Sequence, residues 1–145
     1  MRATGFNHIS IHADDLERSV RWYQDFFGLE RLPTPDFGYP VAWLALGDRQ
    51  LHIFQRPVPA PELHHFSVDV DDYEAAYLQA KAGGFFDGGP RSFPDGSVQM
   101  YVRDPAGNRV ELDWPDVTTL NREIFTEIVA VPGPSDASVY HGRRN

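Results

Sequence analysis

The chain has 145 residues, 41% of them hydrophobic and 13% aromatic, with no cysteine and with 21 acidic against 13 basic side chains, a formal charge of −8. That composition can build one cored domain without disulfides, and the lack of thiols excludes cysteine nucleophiles and cysteine-held zinc or iron–sulfur centres. The acidic balance with singly scattered arginines argues against nucleic acid, and the short apolar runs and N-terminus without a charged-then-apolar leader argue against a membrane partner, so a cytoplasmic protein is expected.

The first element along the chain is the alternating stretch Asn7-His8-Ile9-Ser10-Ile11-His12-Ala13, closed by Asp14-Asp15. Period-two alternation predicts a strand. Asp15 then suits the N-cap of a helix in which Leu16, Val20, Tyr23 and Phe27 recur at helical spacing up to a stop at Gly28. A loop over 33–40 leads to two extended stretches, 41–46 and 50–55, joined by a turn at Gly47-Asp48. Alternating prolines in Arg56-Pro57-Val58-Pro59-Ala60-Pro61 predict a stiff, extended connector.

The pattern then repeats. His64-His65-Phe66-Ser67-Val68-Asp69-Val70-Asp71-Asp72 restates the opening at a shift of 57 positions. Asp72 is the matching N-cap, Tyr73, Ala76, Tyr77 and Ala80 recur at helical spacing, and Gly83 is a plausible stop. After a loop over 85–96 come extended stretches at 98–103 and 109–114, split by Pro105-Ala106-Gly107-Asn108. The expected organisation is one domain over 1–115, made of modules 5–56 and 63–115 with a linker at 57–62. Beyond Trp114, Asp116 could cap a helix over 117–129, and a polar tail opens at Pro132 and runs to the end of 116–145.

Side chains two apart on a strand share a face. His8, Ser10 and His12 therefore stand together, as do His65, Ser67 and Asp69; the end strands align Gln50, His52 and Phe54 with Arg109, Glu111 and Asp113. Histidine is only 6 of 145 residues, so its return at the repeat partner of His8 argues against coincidence. His8, His52, His65 and Glu111 occupy two kinds of position related by the repeat. If the two copies face each other, these groups converge in a set suited to a divalent cation, since imidazole and carboxylate are good ligands for first-row metals. A strand histidine alone is more often a hydrogen-bonded core residue, and His12, His64 and His141 are read as surface groups or as neighbours of the set.

These residues resemble the vicinal oxygen chelate superfamily, which includes glyoxalase I, epimerases, fosfomycin-resistance proteins, bleomycin-binding proteins and extradiol dioxygenases. The resemblance is carried by Asn7-His8-Ile9 with Trp22-Tyr23 and Phe27-Gly28-Leu29, by Leu63-His64-His65-Phe66, and by the run from Met100 to Glu111 across Asp104-Pro105-Ala106-Gly107. It implies an α+β fold of two tandem βαβββ modules curled around a metal held by His8, His65 and Glu111.

The resemblance also implies chemistry. As an extradiol-type dioxygenase acting on a catechol-like substrate, the chain would hold Fe2+, with Tyr101 orienting substrate and His52 moving protons. As a lyase, isomerase or fosfomycin-type transferase it would hold Zn2+, Ni2+, Co2+ or Mn2+, with His52 a possible fourth ligand. A metal-free binder of the bleomycin-sequestering kind is the third reading. The dioxygenase pattern also has a histidine seven to nine residues before the tyrosine, where this chain has Ser92, Phe93 and Pro94. Phe37, Tyr39, Arg91 and Phe93 line the two loops expected to admit a small-molecule substrate, and a homodimer is expected.

Overall fold

Alternation along His8–Ala13 places Ile11 and Ala13 on a buried side and leaves His8, Ser10 and His12 exposed, which makes this strand, β1, amphipathic. Asp15 then caps α1 (Leu16–Phe27) by accepting from the Arg18 N–H at 3.0 Å, and Gly28 ends it in the left-handed conformation, φ 67°. Strands β2 (Arg31–Leu32), β3 (Val41–Leu46) and β4 (Arg49–Gln55) complete a four-stranded sheet in the order β1-β4-β3-β2. The β1–β4 pair is parallel, as a helical crossover allows, and the others are antiparallel. Leu16, Val20 and Tyr23 of α1 are buried, as are Ala42, Leu44, Leu51 and Ile53 of β3 and β4, the strands α1 contacts. Each of the larger aliphatic side chains so covered is worth about 1.5–3 kcal/mol.

The structure, a computed structural model, describes residues 1–2 and 5–134. Its described residues divide into two units, one within 1–64 together with 104–108, and the other 65–103 with 109–134. The turn 104–108 thus belongs to the first unit although it lies in the second module of the sequence. Asp104 accepts at Oδ1 from the Ala106 and Asn108 N–H groups and at Oδ2 from the Asn108 amide and the Tyr23 hydroxyl. The Asn108 amide also donates to the His12 carbonyl at 2.8 Å.

The second unit repeats the plan. Its elements are β5 (His65–Asp69), α2 (Tyr73–Gly83), β6 (Phe86–Ser92), β7 (Val98–Arg103), β8 (Arg109–Trp114) and a short β9 (Val129–Ala130), with sheet order β5-β8-β7-β6-β9. Asp72 caps α2, and the left-handed residue at its end is Gly84 rather than Gly83. Val68, Val98, Met100, Val102, Val110 and Leu112 are buried, while the alternate positions carry the polar residues. The fold is α+β with two mixed sheets. No helix among the described residues is long and apolar enough to cross a membrane.

Two further expectations are corrected. The stretch 85–96 is not all loop, because 86–92 forms β6 despite Gly88, Gly89 and Pro90. Its pairing with β7 slips at Gly88 and again before Arg91, so the breakers disturb the register without ending the strand. The helix expected over 117–129 is instead a single 3-10 turn, Val117–Thr119, followed by irregular chain and β9. Asp116 does cap, but Leu120 and Phe125 are buried, and Phe125 packs on Tyr73 and Tyr77 at 5.6 and 4.7 Å. That packing overrides local propensity. The remainder of the expected tail, 135–145 with His141, lies outside the described residues.

Candidate metal centre

In the first unit, register places Ser10 opposite His52 and His52 opposite Trp43, so three adjacent strands present one shared face. His8 and His52 stack with ring centroids 4.3 Å apart and planes at 19°; Trp43 stacks on His52 at 4.5 Å and 10°. The Nδ1 of His8 lies 2.8 Å from the Asn7 carboxamide oxygen, which favours the Nδ1–H tautomer and leaves Nε2 as a lone-pair donor. His52 is 8% exposed, and its Nε2 lies 2.8 Å from the Gln50 carboxamide oxygen. Burial, then the positive charge available to His8, lowers the His52 pKa below the ordinary imidazole value.

In the second unit the equivalent pairings are Ser67 with Glu111 and Glu111 with Tyr101. His65 Nε2 lies 3.4 Å from the Glu111 carboxylate, and the Tyr101 hydroxyl donates to that same oxygen, Oε2. The His65 ring meets the Tyr101 ring edge-on, centroids 5.4 Å apart at 87°. Glu111 is 6% exposed. Tyr101 has its pKa pushed up to about 12, first by burial and then by its bond to Glu111, so it remains a proton donor at neutral pH.

Flanking groups give this face a charge gradient. On one side Arg109 lies with its guanidinium 3.9 Å above the Tyr101 ring, and Arg103 and Arg109 both reach the Asp87 carboxylate, at 3.1 and 2.8 Å. On the other, Asp113 accepts from Ser67 and has its pKa pushed up to about 7, first by burial and then by the Glu111 charge.

Imidazole and carboxylate are donor types that suit a divalent first-row cation, and in each unit one such donor is held by a neighbour, His8 by Asn7 and Glu111 by Tyr101. Among the described residues no three or more His, Asp or Glu side chains are gathered in a group placed to hold such an ion. Each half of the sequence supplies one pair: His8 with His52, and His65 with Glu111.

The expected substrate-lining residues divide in the same way. Phe37 and Tyr39 are 6.0 Å apart, Phe37 lies 6.0 Å from Trp43 and Tyr39 6.3 Å from Phe54, extending the His8–His52–Trp43 column to the 33–40 loop. In the second unit Arg91 is exposed opposite Gln99 in register, and Phe93 is part-buried in the turn closed by its N–H to the Ser97 carbonyl. His12 and His64 are exposed. Trp43, Gln50, Gln99, Arg109 and Asp113 also line these faces, and only the i, i+2 spacing and the repeat shift announce them. Trp43 precedes Tyr101 by 58 positions, a shift between those of the first and last strands.

The model of the Glyoxalase/Bleomycin resistance protein/Dioxygenase superfamily matches residues 5–112. The chain is 28% identical over 121 residues to a metallothiol transferase FosB of Staphylococcus epidermidis, spanning 77% of this chain and 82% of that protein. It is 26% identical over 119 residues to a lactoylglutathione lyase of Haemophilus influenzae, spanning 72% and 87%. The fold matches that of the fosfomycin resistance protein FosX of Listeria monocytogenes with a TM-score of 0.69 at 16% identity, covering 80% of this chain and 94% of that one.

Proposed function

Since the chain belongs to the Glyoxalase/Bleomycin resistance protein/Dioxygenase superfamily, the vicinal oxygen chelate enzymes, we propose that it is a divalent-metal-dependent transferase or lyase acting on a small substrate with two adjacent oxygens. His8, His65 and Glu111 are the metal ligands in this reading. The observation that carries it is the matched pair of half-sets at repeat-equivalent strand positions, His8–His52 and His65–Glu111, with Asn7 and Tyr101 each fixing a donor. The transferase and lyase names of the relatives favour a redox-inactive ion, Mn2+, Zn2+, Ni2+ or Co2+, over Fe2+-dependent ring cleavage of a catechol. The ion would act as a Lewis acid toward the paired substrate oxygens.

The protein's own groups do the rest. Asn7 keeps the Nε2 of His8 available. Tyr101 holds the Glu111 carboxylate in one orientation and, with its raised pKa, keeps its proton while doing so. The Phe37–Tyr39–Trp43 cluster offers an apolar wall beside His52. Arg91 and Phe93 are proposed substrate contacts from the second unit. A homodimer is part of the reading.

Elemental analysis of anaerobically purified protein, together with assays of thiol consumption with fosfomycin and of thioester formation from a glutathione hemithioacetal, tests it. About one redox-inactive ion per chain with turnover in either assay is expected. Bound iron with oxygen uptake on catechol would establish the dioxygenase instead, and the absence of any stoichiometric ion would leave a metal-free binder.

A further inference from the structure

The two repeat-related positions that follow the turn of each sheet, 52 and 111, are braced in different ways. Glu111 presents an oxygen, and Tyr101 on the neighbouring strand steadies it through a hydroxyl. His52 presents a ring face, and Trp43 on the neighbouring strand covers the opposite face of that ring. Resting on the metal reading above, we propose that His52 is a positioning residue and not a ligand: the column Trp43–His52–His8 sets the plane of the His8 ring and so the direction in which Nε2 of His8 is offered to a cation.

The geometry makes the argument. The lone pair of an imidazole nitrogen lies in the plane of its ring, so an ion bound by His8 lies close to that plane at about 2.1 Å from the nitrogen. His8 and His52 are stacked, with centroids 4.3 Å apart and planes only 19° from parallel. Rings in face contact have planes roughly 3.5 Å apart, so an ion in the plane of one stands well outside the plane of the other. Two imidazoles can share an ion when their planes converge on it; these two run side by side.

The remaining contacts of His52 agree. Its Nε2 is engaged by Gln50 at 2.8 Å, and Trp43 lies 4.5 Å away at 10° on the other face. Offset stacks of this kind are worth about 0.5–1.5 kcal/mol each and are directional. His52 is buried while His8 is exposed, so the column has a fixed inner end and one presented ring. Asn7 completes the control of His8: the carboxamide sets which nitrogen is free, and the stack sets where it points.

Titration of the full-length protein with Co2+ tests this, read by bound-metal stoichiometry and by the visible absorption band of the bound ion, whose position and intensity report its donors. His52→Phe keeps a flat ring and removes both nitrogens; the band should be unchanged and the dissociation constant within about threefold of the parent. His52→Ala and Trp43→Leu should keep the stoichiometry but weaken Co2+ about tenfold or more, and Trp43→Phe should restore most of that loss. Circular dichroism of each variant confirms folding, and His52→Phe carries the test if the alanine variant unfolds. A shifted band or lost ion in His52→Phe would overturn the proposal by showing an imidazole nitrogen on the metal. Parent-like affinity in folded His52→Ala would overturn it by showing that the column orients nothing. Full Co2+ binding by His8→Ala would overturn the ligand assignment itself, a failure that the position-52 variants cannot imitate.

Discussion

Tyr101 and Glu111 stand directly opposite each other on β7 and β8, and the tyrosine hydroxyl donates to the same carboxylate oxygen that lies 3.4 Å from His65. Ten residues apart in sequence, they form one unit across a hairpin. Tyr101→Phe leaves packing almost unaltered and removes the donor. We expect one ion per chain to be retained, with affinity reduced about tenfold, within the range for groups that orient ligands. Calorimetric titration with Mn2+ checks this; unchanged affinity would count against any orienting role for Tyr101.

The raised pKa of Asp113 predicts an unusual stability profile for the metal-free protein. Its carboxyl titrates near 7 when folded against about 3.9 in an unfolded chain, so the folded state binds the extra proton between these values. Stability should therefore fall as pH rises through roughly 4 to 7, the reverse of the usual carboxylate behaviour. Asp113→Asn should be more stable than the parent by about 1–2 kcal/mol at pH 8, with the gain shrinking toward pH 4. Urea unfolding across this range measures both trends, and a gain independent of pH would refute the assignment.

Tyr23 carries a buried hydroxyl from α1 to Asp104 at 3.1 Å, across 81 positions of sequence. Burial together with the Asp104 charge raises the tyrosine pKa well above its ordinary value, so the proton stays on oxygen. Tyr23→Phe removes one of several donors to a buried carboxylate. A loss of about 1–2 kcal/mol in urea unfolding is expected, with metal stoichiometry unaltered.

Gly89 offers a purely steric test. Its φ is +96°, and a Cβ built there would lie 2.8 Å from the Gln99 carbonyl oxygen and 2.8 Å from the Met100 Cα, both backbone. Gly89→Ala must push β6 away from β7 or distort the backbone, at a cost of about 2 kcal/mol or more. Gly28→Ala also meets a positive φ but has open space around it, and should cost less. Comparing the two thermal midpoints checks the difference.

Much of this architecture is legible in the linear text, and the reason is periodicity. Strands β3, β7 and β8 follow from alternation bounded by turn residues, and α1 from apolar spacing between Asp15 and Gly28. The sharing of faces by His8 with His52, and by His65 with Glu111, follows from the same period and the repeat. What periodicity misses is set by distant contacts. Asp116 looks like the start of a long helix, yet the burial of Phe125 against Tyr73 and Tyr77 draws the chain away after one turn. Gly88-Gly89-Pro90 looks like a loop, yet pairing with β7 holds it extended. Ring-on-ring contact is also invisible in sequence: spacing places His52 beside His8 but gives no hint that their faces touch.

The turn 104–108 has a practical meaning for anyone dividing the molecule. Cutting at the proline-rich connector would give two fragments that match the written repeat, but the N-terminal piece would be missing the loop that receives its Tyr23 hydroxyl and the amide of Asn108 that meets the His12 carbonyl. The N-terminal piece, expressed alone, lacks part of its own unit, whereas the C-terminal piece keeps all of the second. Adding the C-terminal piece, which carries the 104–108 turn, should therefore stabilise the N-terminal one, because one copy of the repeat lends a turn to the other.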